Sequence, residues 1–159
     1  MEMDREKASA FKKAFREKYT VLEAVRNTYA EYVVSLINSK GWDVHQFVKY
    51  TKLEANNFHR IKRGDSENPK LETVLSISIG MKLPPEIREE LIALAGIAWQ
   101  NTELHCAYQY ILENKDIKTI TDFNTAFIIL DVDPDFIPLK DSDVNYNEIR
   151  NELRNKNII

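Results

Sequence analysis

Two short segments of helical periodicity lie only three residues apart in the middle of the chain. The first covers about residues 43–50 and the second about residues 54–63. Their apolar faces are formed by Phe47, Val48, Phe58 and Ile61. The residues between them, 51–53, are too few for anything but a tight turn. Gly64 ends the second segment, because glycine adopts the left-handed backbone that closes a helix at little cost. The sequence therefore predicts two short helices joined by a tight turn.

Apolar residues at helical spacing predict further helices on both sides of this pair. A long helical face runs from Phe11 to Leu36. Later helices are predicted after Pro69, from Pro84 to Gly96, over about residues 102–114, around residues 123–130 and around residues 144–153. The 159 residues include only four glycines and five prolines, which provide little material for hairpin turns. The chain is therefore predicted to be all-α.

The chain divides into three predicted parts. Residues 1–28 form an N-terminal helical arm, residues 29–96 a bundle around the helix pair, and residues 97–159 a C-terminal helical region. Candidate capping boxes at Thr20 and Thr28 predict that the long N-terminal face consists of two helices.

Charge and cysteine content exclude several classes of protein. The net charge of −3 implies no general affinity for polyanions, so any surface for nucleic acid is local. The single cysteine, Cys106, excludes an intramolecular disulfide framework. The N-terminal sequence MEMDREKASAFKK is charged where a signal peptide has an apolar core, and no apolar run reaches the length of a membrane span. A cytoplasmic protein is predicted.

The sequence GWDVHQFVKYTKLEANNFHRIKRGDSENPKLETVLSISIGMKL resembles the Cro and phage-repressor type of domain, the Xre family, over about residues 29–83. The resemblance lies in an apolar pair, a short turn, a second helix ending in arginine and glycine, and then a proline and a leucine-containing helix. It implies a lambda-repressor-like helix-turn-helix bundle, here with additional N-terminal and C-terminal helices. It also implies a sequence-specific DNA-binding transcriptional regulator, a repressor, that reads the major groove with helix 54–63.

Three positions depart from the family's pattern. Val44 replaces the common glutamine of the first helix, Lys52 stands where the turn usually has glycine, and Lys62 replaces a common acidic residue. Lys52 must then adopt a left-handed conformation. Val44, together with Glu54 at the start of the second helix, leaves an alternative open. The same fold would then be a protein-binding interaction module, such as an antitoxin-like protein or a phage-encoded inhibitor.

The exposed face of helix 54–63 carries the side chains suited to base recognition, because asparagine pairs with adenine and arginine with guanine. The predicted base contacts are Ala55, Asn56, Asn57, His59 and Arg60. The predicted phosphate contacts are Gln46, Lys49, Lys52, Lys62 and Arg63. Residues 40–70 carry seven basic and four acidic residues, a net charge of +3, so the rest of the chain carries −6. This uneven distribution of charge fits a protein with one DNA-binding face.

Double-stranded DNA is thus the predicted partner. A homodimer is also predicted, because one such domain contacts too few base pairs for useful specificity. The C-terminal helices, together with the N-terminal arm, are expected to pair two copies, or the C-terminal region binds a protein partner. The C-terminal aromatic residues are assigned to the core, with a dimer face as the alternative: Trp99, Tyr108, Tyr110, Phe123 and Phe127.

Catalytic and metal-binding patterns are weak in this sequence. Asp131, Asp133 and Asp135 have the alternate spacing of a calcium loop, but Phe136 stands where that loop needs glycine. A capped turn, with Asp133 before Pro134 at a first helical position, is predicted instead. The scattered histidines predict no zinc site. With neither a phosphate-binding glycine loop nor a nucleophile elbow in the sequence, we predict a non-enzyme without a cofactor.

Overall fold

The computed structural model describes residues 2–65 and 68–159, and for residues 19–28 it describes the backbone only. The helices are α1 (Arg5–Lys40), α2 (Val44–Thr51), α3 (Ala55–Arg63), α4 (Leu71–Gly80), α5 (Pro85–Leu94), α6 (Glu103–Leu112), α7 (Ile120–Leu130) and α8 (Tyr146–Asn155). Within these described residues there is no strand, and the predicted all-α fold is confirmed. In the same part of the chain, no helix combines the length and the apolarity that a membrane crossing requires.

α1 is one helix of 36 residues. The carboxylate of Asp4 caps its N-terminus by accepting a hydrogen bond from the Lys7 amide at 2.8 Å. Gly41 ends the helix in the left-handed conformation, with φ 66°. The predicted division into two helices is wrong, because the backbone remains helical through Thr20 and Thr28. The side chains of these two candidate caps lie outside the described part of the chain.

The C-terminal part of α1 forms a bundle with α2, α3, α4 and α5. α2 packs on α3 and α4, while α1 packs on α3 and α5. The side chains at the centre of this bundle are fully buried: Val33, Phe47, Val74, Leu75 and Leu91. Burying such side chains stabilises the fold by about 1.5–3 kcal/mol each, so this contact surface fixes α2 and α3 on the bundle.

Gly80 allows α4 to pack unusually close to the end of α2. A Cβ atom at this position would lie 2.7 Å from the Tyr50 carbonyl oxygen and 2.9 Å from the Thr51 Cα atom. Both are backbone atoms, which cannot move aside as a flexible side chain can. The position therefore requires glycine although it lies in a helix.

The C-terminal helices share the core of the bundle through α4. Tyr108 of α6 and Phe123 and Phe127 of α7 are fully buried, and the Tyr108 hydroxyl donates a hydrogen bond to Glu72 of α4 at 3.2 Å. The core assignment of these three aromatic residues is confirmed. Tyr110 differs, since 67% of it is exposed.

The stretch after α7 returns to the bundle as an anchored loop that leads into the first residues of α8, and we refer to residues 136–147 as segment 136–147. The buried Asn124 side chain donates to the Leu139 carbonyl at 2.9 Å and accepts from the Leu139 amide at 3.2 Å. The Arg150 guanidinium donates to the Phe136 carbonyl at 2.6 Å. These bonds satisfy backbone groups of the loop and fix its path over α7 and α8.

Candidate nucleic-acid interface

The turn of residues 51–53 sets the direction in which α3 leaves α2. Lys52 has φ 62°, the left-handed conformation that its place in the turn requires. The buried Thr51 hydroxyl donates to the Phe47 carbonyl at 2.7 Å and accepts from the Leu53 amide at 3.2 Å. Because the backbone groups of the turn are paired internally, the turn holds one geometry.

α3 has one apolar and one polar face. Phe58 and Ile61 are buried, and the Phe58 ring lies 5.5 Å from the Phe47 ring of α2. With about 3.6 residues per turn, Asn56 and Arg60 project from the opposite side of the helix. The inward and outward faces predicted for this helix are therefore present.

The predicted base contacts are accessible but divide between two sides of α3. Ala55, Asn56, His59 and Arg60 are exposed, and Asn57 is half-buried. Asn56, Asn57 and Arg60 line one groove, whereas Ala55 and His59 lie on the other flank. Among the described residues, Arg60 pairs with no carboxylate. Its guanidinium is therefore available to a ligand of the groove.

The predicted phosphate contacts each have an intramolecular partner. These are the Asp43 amide for Gln46 at 2.8 Å, the Tyr50 ring for Lys49 at 5.2 Å, Asp143 for Lys52 at 2.9 Å, Asn38 for Lys62 at 2.9 Å and Asp65 for Arg63 at 3.1 Å. Cation–π contacts and ion pairs at exposed sites, as at Lys49 and Arg63, contribute about 0–1 kcal/mol each. A phosphate that competes for these cations therefore loses little to their present partners.

A stacked aromatic pair beside α2 was not expected from the sequence. The rings of Trp42 and Tyr50 lie 5.2 Å apart and 18° from parallel. Lys40 lies over the first ring at 5.9 Å, and Lys49 over the second at 5.2 Å. Helical spacing does not predict this contact, because Trp42 precedes α2 and eight residues span about 12 Å along a helix axis.

Segment 136–147 forms the second wall of the groove that α3 lines. The groove has a volume of about 1290 Å³. On the α3 side it presents Asn56, Asn57 and Arg60, and on the other side it presents Asp141 and Asp143. The Arg60 guanidinium and two amides of α3 therefore lie opposite two carboxylates, with Glu54 at the start of the α3 wall and Lys140 on the wall of the segment. No local sequence pattern predicts this arrangement, since about 80 residues separate the two walls.

The candidate calcium loop has a different structure. Asp133 accepts a hydrogen bond from the Asp135 amide at 3.1 Å, so the predicted capped turn is present. Pro134 lies in that turn and begins no helix, which corrects one detail of the prediction. In the described part of the chain, no group of three or more histidine, cysteine or acidic side chains is arranged to hold a metal ion.

Comparison of the chain with protein-family models, with curated proteins and with solved structures gives no match.

Proposed function

We propose that the protein is a sequence-specific DNA-binding transcriptional regulator, a repressor of the Xre kind, and that α2 and α3 form its helix-turn-helix. The observation that supports this most directly is the geometry of α3. Its apolar face is fixed by Phe58 and Ile61, and its outward face presents Asn56 and Arg60. A helix held in this way fits the major groove, where base edges display distinguishable patterns of donors and acceptors.

The side chains on this face match particular bases. Arg60 is suited to a bidentate contact with guanine, and Asn56 to one with adenine. Lys49, Lys52 and Lys62 are suited to phosphates on either side of the groove, where they add affinity without sequence preference. Gly64 ends α3 before the chain turns back towards α4, which limits the helix to a length that fits the groove.

We further propose that two copies act together, because a dimer contacts two half-sites about 34 Å apart on one side of the DNA. Three large exposed apolar side chains of the C-terminal region support a dimer face on α6 and α7: Tyr110, Ile129 and Leu130. At micromolar concentration, light scattering is expected to give twice the chain mass of 18.6 kDa. A mass of one chain across that range would contradict the dimer.

The experiment that tests DNA binding is a titration of the purified protein with the DNA upstream of its own gene. A scrambled duplex of equal length serves as the control, and both are measured at several salt concentrations. Preferential binding of the upstream duplex is expected. Lys49→Ala and Lys62→Ala should weaken binding to both duplexes alike and reduce the salt dependence by about one unit. If the folded protein binds no duplex at low salt, the same surface is a protein-binding one, as in the antitoxin-like alternative.

A further inference from the structure

Segment 136–147 and α3 face each other across the groove, and one ion pair joins the segment to the turn between α2 and α3. Lys52 Nζ lies 2.9 Å from Asp143 Oδ2, and the two residues are 91 positions apart in the sequence. Lys52 is also the turn residue that we assign to a DNA phosphate. The Asp143 carboxylate therefore occupies the position on Lys52 that a phosphate oxygen would take.

The segment is firmly attached on both sides of Asp143 but weakly attached at that residue. Asp141 accepts a hydrogen bond from the Tyr146 hydroxyl at 2.7 Å, and Asn124 holds Leu139 by two hydrogen bonds. The Asp143 side chain, by contrast, is 70% exposed. Among the described residues, the Asp143–Lys52 ion pair is the only hydrogen bond or ion pair between residues 142–145 and the α2–α3 pair, so breaking it frees this span while the anchors hold.

A recognition helix needs free space on its flanks, because the two sugar-phosphate backbones pass along either side of a helix in a major groove about 12 Å wide. Segment 136–147 stands on the flank to which Asn56, Asn57 and Arg60 point. It thus occupies space that one DNA strand would need. The segment carries Asp141 and Asp143 against the single Lys140, and this net negative charge disfavours phosphates at this side of α3.

We propose that segment 136–147 competes with DNA for the groove side of α3, with Asp143 standing in for a phosphate on Lys52. This inference rests on the proposed function, since it concerns the same helix face. DNA binding then requires the span around Asp143 to move aside, so the C-terminal region sets the affinity of α3 for DNA. A partner that captures this span would strengthen DNA binding.

The test compares Asp143→Asn with the matched control Asp116→Asn. Both changes remove one negative charge from an exposed side chain, but Asp116 does not line the groove. At one fixed salt concentration, Asp143→Asn is expected to lower Kd for the upstream duplex about two- to fivefold more than the control does, because the ion pair of Asp143 with Lys52 is released. In the background of Lys52→Ala, the Asp143→Asn effect should shrink, since the ion-pair partner is absent.

Backbone order parameters of the wild-type protein, measured by NMR with and without the duplex, provide the second measurement. The order parameters of residues 142–145 should fall when DNA is bound, because the span leaves Lys52 and moves freely. Equal effects of the two substitutions, or unchanged or higher order parameters of these residues on DNA binding, would overturn the competition while leaving the proposed function intact. Absence of binding by every variant at low salt would overturn both proposals.

Discussion

Lysine takes the place of glycine at two helix ends of this chain. Gly41, Gly64 and Gly96 have positive φ angles, as do Lys52 and Lys82. A side chain in this conformation brings Cβ close to the following carbonyl oxygen and costs about 1–2 kcal/mol. The strain at Lys52 was predictable from the turn position that it occupies. At Lys82 it was not, because Met81 lies between it and the end of α4, and nothing in the local sequence shows which of these two residues adopts the left-handed conformation.

Lys82→Gly is expected to raise the free energy of unfolding by about 1 kcal/mol, because glycine adopts φ 54° without strain. Lys82→Ala serves as the matched control, since it removes the charge and keeps the strain. Urea titration of both variants measures the difference. Equal stability of the two variants would show that the left-handed conformation carries no cost here.

At the scale of the helices, apolar periodicity predicted most of the structure. The helix pair was placed at residues 43–50 and 54–63 and lies at 44–51 and 55–63. The sequence did not predict that α1 is one continuous helix, because threonine favours helix N-termini but is also tolerated inside a helix. The groove was missed for a different reason. Its two walls are brought together by tertiary packing, and the local sequence of neither wall predicts that the other lies opposite.

Gly80→Ala tests the close packing of α4 on α2. Alanine is the better helix former by about 1 kcal/mol, but its Cβ would lie within 2.9 Å of backbone atoms at residues 50 and 51. The expected net result is a loss of about 1–3 kcal/mol in the free energy of unfolding.

Ser78→Ala is the control for that substitution, because the Ser78 hydroxyl bonds only to the Val74 carbonyl of its own helix. Ser78 is buried, and the loss of its one hydrogen bond should lower stability by no more than about 1 kcal/mol, since the Val74 carbonyl belongs to the same helix. A Gly80→Ala variant as stable as the wild type would mean that α2 can shift away from α4 without loss.

For the molecule as a whole, two buried tyrosines of the C-terminal region, Tyr108 and Tyr146, have raised pKa values. Burial, with the Asp141 carboxylate at its hydroxyl, raises the pKa of Tyr146 to about 12. Burial and Glu72 also raise the pKa of Tyr108. In the unfolded chain the pKa of tyrosine is about 10. Between these values the folded state holds more protons than the unfolded state, so the free energy of unfolding falls as pH rises.

We therefore expect the free energy of unfolding to decrease from about pH 10 to pH 12, and to decrease less steeply in Tyr146→Phe than in the wild type. Tyr110→Phe, at an exposed position, should keep the wild-type slope. Urea titrations followed by circular dichroism at several pH values give these slopes. The same slope in all three proteins would show that Tyr146 does not link stability to pH.

The most direct measurement of base recognition by α3 compares Arg60→Ala with Arg154→Ala. Both variants lose one exposed arginine, but Arg154 lies on α8 and does not line the groove. Each folded variant is titrated against the upstream duplex and against a set of duplexes that differ from it by single base pairs. Arg60→Ala should lose about 1–3 kcal/mol of binding free energy and its preference at one base pair, while Arg154→Ala keeps the wild-type preferences. If Arg60→Ala binds every duplex with wild-type affinity, α3 does not recognise bases.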